Sequence, residues 1–139
     1  MADNPQIAGR ERPLSPHLTI WRWQITMLAS IMHRATGMAL AVGAMVLVWW
    51  LVCISNGPDS FNGLMVYAAM PLGLLVLFGF TFSFFFHFCN GIRHLAWDLG
   101  YGFEKHFATK TGTLVFVLAF VLAIGAFALV WTGHGGYLK

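Results

Sequence analysis

A histidine lies inside an otherwise apolar stretch and is the first residue to consider for chemistry. His87 follows a run of uncharged residues that begins at Ser60, and the next charged residue is Arg93. On one helix, His87, Gly91 and His94 are spaced i, i+4 and i+7 and share a face. That face offers an imidazole ligand, a glycine that leaves room near the backbone, and a cation toward the polar end, which together suit a haem. The structural alternative is that His87 hydrogen-bonds a serine or a carbonyl group on a neighbouring helix.

A second group of polar side chains lies near the start of the first apolar stretch. Ser30 and Arg34 are one helical turn apart, and His33 is on the adjoining edge of the same side. An arginine at a helix end can simply extend its guanidinium group to water. We nevertheless expect this group to meet the one around His87, because both lie at the same membrane depth. A pocket with a hydroxyl donor and fixed positive charge would suit a quinone, whose carbonyl oxygens gain negative charge on reduction, and equally an anionic lipid headgroup.

The elements that position these residues are predicted to be membrane-spanning helices. The 139 residues are 58% hydrophobic and only 9% charged, far less than the roughly one quarter charged residues of a soluble domain. Three uncharged runs each exceed the ~20 residues that a helix needs to cross a bilayer. They predict an all-α integral membrane protein of one domain, with transmembrane helices at about 28–54, 63–92 and 111–133. The runs do not alternate polar with apolar residues, so strands of a β-barrel are disfavoured.

The distribution of basic residues predicts the topology. Lys and Arg fall at positions 10, 12, 22 and 34 before or at the start of the first span, at 93, 105 and 110 around the second connection, and at 139. The positive-inside rule therefore predicts a cytoplasmic N-terminus and a C-terminus outside. The net charge of +3 then reflects topology and not nucleic-acid binding.

The segment before the first span indicates which membrane holds the protein. Residues 1–23 are expected to form a cytoplasmic arm followed by an aromatic interfacial segment. This start of the chain contains Asp3 and Glu11 and is too acidic for a convincing transit peptide. We therefore expect a bacterial inner membrane.

Three sequence blocks together resemble a known family. They are Arg12-Pro13-Leu14-Ser15-Pro16-His17-Leu18, then Ser30-Ile31-Met32-His33-Arg34-Ala35-Thr36-Gly37, then His87-Phe88-Cys89-Asn90-Gly91-Ile92-Arg93-His94-Leu95 followed by Asp98. In a three-span chain these blocks look like the signatures of the cytochrome b anchor subunit of succinate dehydrogenase. The pairing of the second and third blocks is specific, whereas each alone is weak.

The resemblance implies half of a heterodimeric helical bundle. A second small anchor subunit would complete it, and the pair would hold an iron–sulfur subunit and a flavoprotein subunit on the lipid bilayer. Electrons from succinate would then reach ubiquinone. The chain has no flavin or nucleotide motif and no cysteine framework for an iron–sulfur cluster, so it would not oxidise succinate itself.

The resemblance also assigns roles to individual residues. His87 would be one axial ligand of a b-type haem, with the other supplied by the partner anchor. Ser30 and Arg34 would line the quinone pocket, and His33 and Arg34 would reach the haem propionates. Positions 93, 94 and 98, occupied by Arg93, His94 and Asp98, would lie near a partner contact or a proton path.

Three other functions remain open at this point. A fumarate reductase anchor would run the same site in reverse. A haem-free structural anchor would use His87 only as a hydrogen-bonding group. A small channel or transporter subunit is disfavoured, because the spans show neither paired intramembrane carboxylates nor a broken-helix signature at mid-depth.

Overall fold

The computed structural model describes residues 20–133, and this part of the chain is almost entirely helical. The helices are α1 (Ile25–Ser55), α2 (Pro58–Ala69), α3 (Pro71–Asp98) and α4 (Lys105–Gly133). Three of them, α1, α3 and α4, are long and apolar enough to cross a membrane, which confirms the prediction of an all-α protein with three spans. Of the predicted arm and interfacial segment over residues 1–23, residues 1–19 lie outside the described residues.

The first helix begins where the interfacial segment was predicted to end. Trp21 and Trp23 precede α1, are exposed, and pack edge to face with ring centroids 4.8 Å apart. Indole rings favour the headgroup level of a bilayer, so the pair suits a membrane-surface position. With 31 residues, α1 is about 46 Å long, whereas the hydrocarbon core is ~30 Å thick. The polar end that carries His33 and Arg34 can therefore lie near the membrane surface.

The second long helix, α3, begins later than the predicted second span. The expected helix over 63–92 is divided at Met70 and Pro71 into α2 and α3. Proline has no N–H to donate and forces the preceding residue out of the helical region, and Met70 is accordingly extended with ψ 153°. Gly73 lies so close to this corner that a Cβ there would overlap the carbonyl oxygens of Tyr67 and Ala68. The helix in this region that is long and apolar enough to cross a membrane is Pro71–Asp98, and α2 is a separate short helix.

Glycines with positive φ make the other two connections. Gly57 has a φ of 102° between α1 and α2, and Gly100 and Gly102 each have a φ of 85° between α3 and α4. Only glycine adopts this region without a steric penalty. The turn after α3 is compact, and the indole N–H of Trp97 donates to the carbonyl of Gly102 at 3.1 Å. As a result α4 begins at Lys105, six residues before the expected start of the third span at 111.

The third span, α4, packs mainly through small residues. Ala108, Gly112, Val115, Ala119 and Ala123 are buried along one stripe of α4. Small side chains let membrane helices approach closely and gain van der Waals contact. Gly125, further along the same helix, has open space around it within the described part of the chain.

The core is small and lies at the level of the candidate site. Ala29 of α1, Phe86 of α3, and Val115 and Ala119 of α4 form its buried centre, with partly buried aromatic and sulfur-containing side chains around them. Most other large apolar side chains of the three long helices are exposed. In a bilayer such surfaces contact lipid or another membrane subunit, and this core fixes only how α1 and α4 sit on α3.

Candidate functional site

Three histidines form a stack between α1 and α3. The ring of His33 lies 3.9 Å from that of His87, with an interplanar angle of 11°, and 4.9 Å from that of His94, with an angle of 15°. His87 and His94 are two turns apart on α3, so His33 of α1 contacts both. The two polar groups that the sequence placed at the same depth therefore do meet, through their imidazoles.

The hydrogen bond of His87 decides which of its nitrogens is free. Its Nδ1 lies 3.1 Å from the carbonyl oxygen of His33. A carbonyl oxygen only accepts, so Nδ1 must carry the proton and donate. In the neutral ring, Nε2 then bears the lone pair. His87 thus does hydrogen-bond a carbonyl group of a neighbouring helix, but only through Nδ1. Nε2 keeps the unprotonated lone pair that a metal ion needs.

Close approach of the helices makes this hydrogen bond possible. A Cβ at Gly37 would come within 3.0 Å of Cε1 of His87. Glycine therefore lets the imidazole reach the backbone of α1. Thr36, which is 3% exposed, lies in the same turn, with its hydroxyl oxygen 3.4 Å from Nδ1 of His87. Neither Thr36 nor Gly37 was predicted to act on His87, although a small residue one turn after His33 was a readable signal.

The other members of the stack have different surroundings. Nδ1 of His94 donates to the carbonyl oxygen of Asn90 at 2.8 Å, one turn earlier on α3. Nδ1 of His33 is buried and has no hydrogen-bond partner among residues 20–133. A buried polar atom without a partner is costly and marks a place where a further polar group fits. The stacked rings do not converge on a point, and no group of three metal-ligating side chains occurs in the described part of the chain.

Gly91 leaves open space one turn after His87. Within the described residues, nothing lies within 4 Å of where a Cβ of Gly91 would stand. Packing inside this chain therefore does not demand glycine at this position. The observation agrees with the expectation that Gly91 leaves room for a group from outside the chain.

Arg93 is placed differently from the other predicted site residues. It is 7% exposed, and its three donor nitrogens are all engaged. Nε donates to the Thr111 hydroxyl oxygen at 3.1 Å, Nη2 to the Ala108 carbonyl at 3.0 Å, and Nη1 to Oδ1 of Asn90 at 3.4 Å. The guanidinium carbon also lies 3.9 Å from the centre of the Trp97 ring. These contacts favour a role in joining α3 to α4, so the sequence missed the residue's intrachain partners.

The remaining predicted site residues lie nearer the surface. Ser30 is partly buried, whereas Arg34 and Asp98 are exposed. Ser30 and Arg34 are on the side of α1 next to His33, as the helical spacing requires. An exposed guanidinium at this helix end is free to contact a ligand, a lipid headgroup or another subunit.

The fold and this site define a class of protein. Three spans that share few buried residues, with stacked imidazoles between two of them, describe a helical membrane subunit that exposes most of its apolar surface. Residues 8–126 match the family described as the succinate dehydrogenase/fumarate reductase transmembrane subunit. The chain belongs to this family, and it is a multi-pass protein of the bacterial inner membrane.

Individual members of the family are similar to this chain over most of their length. The succinate dehydrogenase cytochrome b556 subunit of Rickettsia prowazekii is 41% identical over 121 residues, which cover 87% of this chain and 91% of the relative. The subunit of the same name from Paracoccus denitrificans is 37% identical over 81% of this chain and 87% of the relative. The mitochondrial cytochrome b560 subunit of Sus scrofa is 38% identical over 87% of this chain and 73% of the relative.

Proposed function

We propose that this chain is the cytochrome b membrane-anchor subunit of a succinate dehydrogenase. The main observation that supports this proposal is the hydrogen bond from Nδ1 of His87 to the His33 carbonyl. This bond leaves Nε2 with a free lone pair inside an apolar span. The relatives described above bear the name cytochrome b. A b-type haem, held by His87 of this chain and by a second residue from another small anchor subunit, would account for both.

The residues of this chain fit one half of such a haem site. His87 supplies one nitrogen, Gly91 leaves space beside it, and the unpartnered Nδ1 of His33 offers a polar contact. Arg34 would supply positive charge for the propionates from the exposed end of α1. When bound, the haem would supply one-electron transfer, and this chain would hold it, exclude water from it and tune it through His87.

The quinone site is the second part of the proposal. Ser30 would donate a hydrogen bond to one carbonyl oxygen of ubiquinone, and Arg34 would stabilise the negative charge that this oxygen gains on reduction. Both lie on the His33 side of α1, so the quinone would bind next to the histidine stack. Succinate itself would be oxidised by the flavoprotein subunit and its electrons carried by the iron–sulfur subunit.

A His87→Ala variant tests the haem assignment. We expect the b-type signal in the reduced-minus-oxidised spectrum of the purified complex to be lost or strongly altered, since alanine offers no ligand. His106→Ala is the matched control, because His106 is exposed on α4 and should leave the spectrum unchanged. A native spectrum in His87→Ala would remove His87 as ligand. A native complex without any haem signal would leave a haem-free anchor.

Ser30→Ala and Arg34→Ala test the quinone assignment. We expect ubiquinone reduction by succinate to fall by about tenfold or more, corresponding to the loss of ~1.4 kcal/mol or more of stabilisation. Electron transfer from succinate to a soluble dye should persist, because it bypasses the quinone. Lys110→Ala, which removes an exposed cation from α4, is the control. Equal loss of both activities would contradict the assignment and indicate failed assembly.

The family also includes fumarate reductase anchors, so the direction of the reaction is a separate question. The same variants measured with a low-potential quinol and fumarate would decide it. Faster turnover in that direction than with succinate and ubiquinone would favour the reductase.

A further inference from the structure

Thr36 contacts the candidate haem ligand from the neighbouring helix. Its hydroxyl group donates to the carbonyls of the preceding turn, with oxygen–oxygen distances of 2.8 Å to Met32 and 3.0 Å to His33. Because its proton is directed to those carbonyls, the hydroxyl oxygen presents a lone pair to Nδ1 of His87, 3.4 Å away. Nδ1 therefore faces two acceptors, the Thr36 hydroxyl and the His33 carbonyl.

A bond from a threonine hydroxyl to a carbonyl four residues earlier is common in helices and needs no functional explanation. Thr81, Thr109, Thr113 and Thr132 all make one in this protein, and all four of these bonds are exposed. Thr36 differs because it is 3% exposed and its oxygen also approaches a ring on another helix. The local bond alone does not account for that burial against His87.

Gly37 completes the surface that receives the imidazole. A Cβ at this position would lie 3.0 Å from Cε1 and 3.5 Å from Nδ1 of His87, so alanine would push the ring away from both acceptors. His33 stacks on the same ring at 3.9 Å and supplies the carbonyl acceptor. One turn of α1 thus sets the position, the orientation and the tautomer of His87.

We propose that Thr36 and Gly37 are positioning residues for His87: they hold its ring with the proton on Nδ1, so that Nε2 is the nitrogen available to iron. The proposal rests on the proposed function of His87 as a haem ligand. Acceptors at Nδ1–H raise the basicity of a ligating imidazole and favour the oxidised metal. Thr36 therefore lowers the midpoint potential of the haem, and Gly37 fixes the plane of the ligand.

The test is a potentiometric titration of the haem in the assembled complex carrying Thr36→Val, Thr36→Ser or Thr113→Val. Valine matches the shape of threonine but has no acceptor, so we expect the midpoint potential to shift upward. Serine keeps the hydroxyl and should restore the native value. Thr113→Val removes an exposed hydroxyl on α4 and should change nothing. Equal potentials in native, Val and Ser forms would overturn the role of Thr36, whereas haem loss in Val that Ser restores would support it.

Gly37→Ala tests the second positioning residue by a different readout. We expect altered low-spin g values in electron paramagnetic resonance, or loss of haem, because the displaced ring changes the ligand plane. Gly125→Ala, where a Cβ meets open space, is the control. Native g values in Gly37→Ala would overturn the role of Gly37.

The His87→Ala variant distinguishes a failure of the proposed haem ligation from a failure of the positioning role alone. If the native haem signal persists in that variant, the proposed function fails and the positioning role fails with it. If the signal is lost in His87→Ala but the Thr36 and Gly37 variants behave as native, only the positioning role fails.

Discussion

Arg93 is a cation held among neutral groups. Its guanidinium group donates to an amide, a hydroxyl and a backbone carbonyl, and lies over the ring of Trp97. Asn90, one of its acceptors, is 0% exposed. The planar fork of arginine reaches three acceptors in fixed directions, which the single ammonium group of lysine does not. Shape, as well as charge, therefore makes arginine necessary at this position.

Replacing Arg93 with lysine should destabilise the protein even though lysine carries the same charge. We expect Arg93→Lys to cost about 1–3 kcal/mol, since buried acceptors on α3 and α4 would lose their donors. The measurement is the thermal unfolding midpoint of the purified complex. Arg22→Lys changes an exposed arginine before α1 and is the control. Unchanged midpoints in both variants would show that the contacts of Arg93 contribute nothing to stability.

At the scale of the helices, the corner between α2 and α3 depends on a proline and a glycine two residues apart. Pro71 ends the hydrogen-bonding pattern of the preceding helix, and Gly73 allows α3 to start directly against the last turn of α2. The corner could not be predicted from hydropathy, because the apolar stretch continues through it without a charged residue. The Met70-Pro71 dipeptide was the available signal, because the residue before proline avoids the helical region.

A methyl group at Gly73 should disrupt this corner. We expect Gly73→Ala to lower the unfolding midpoint of the complex, because the new Cβ would overlap backbone carbonyl oxygens that cannot move independently. Gly63→Ala on α2 is the matched control: its Cβ meets open space, and the substitution should be neutral or stabilise by about 0.4–1 kcal/mol. Equal midpoints in the two variants would show that the corner adjusts freely.

Over the whole molecule, the number of spans and the meeting of His33 with His87 could be predicted from the sequence. The lengths of the three uncharged runs determine the number of spans. The helical spacing of the polar residues on two antiparallel helices determines that His33 meets His87. The partners of Arg93 could not be predicted, because Ala108 and Thr111 belong to another helix whose register follows from a two-glycine turn. Thr36 was missed for a related reason: burial depends on how closely two helices approach.

The partner subunits, the membrane orientation and the roles of Ser30 and Arg34 remain predictions, because they concern groups outside this chain. The exposed apolar faces of α1, α3 and α4 do agree with a larger assembly in a membrane. A core confined to the level of Phe86 is small for three helices of this length. Contacts with lipid and with another subunit would then supply much of the packing.

The two sets of polar contacts on α3 have a mechanical consequence. His87 is bonded to α1, and Arg93, six residues later and about 120° around the helix, is bonded to α4. A rotation of α3 about its axis would break both sets at once, and a slide along that axis would do the same. At the depth of the histidines, these contacts therefore oppose both rotation and sliding of α3. If a haem binds His87 as proposed, the angle of this ligand would stay constant between the two oxidation states, and the reorganisation that accompanies electron transfer would be small.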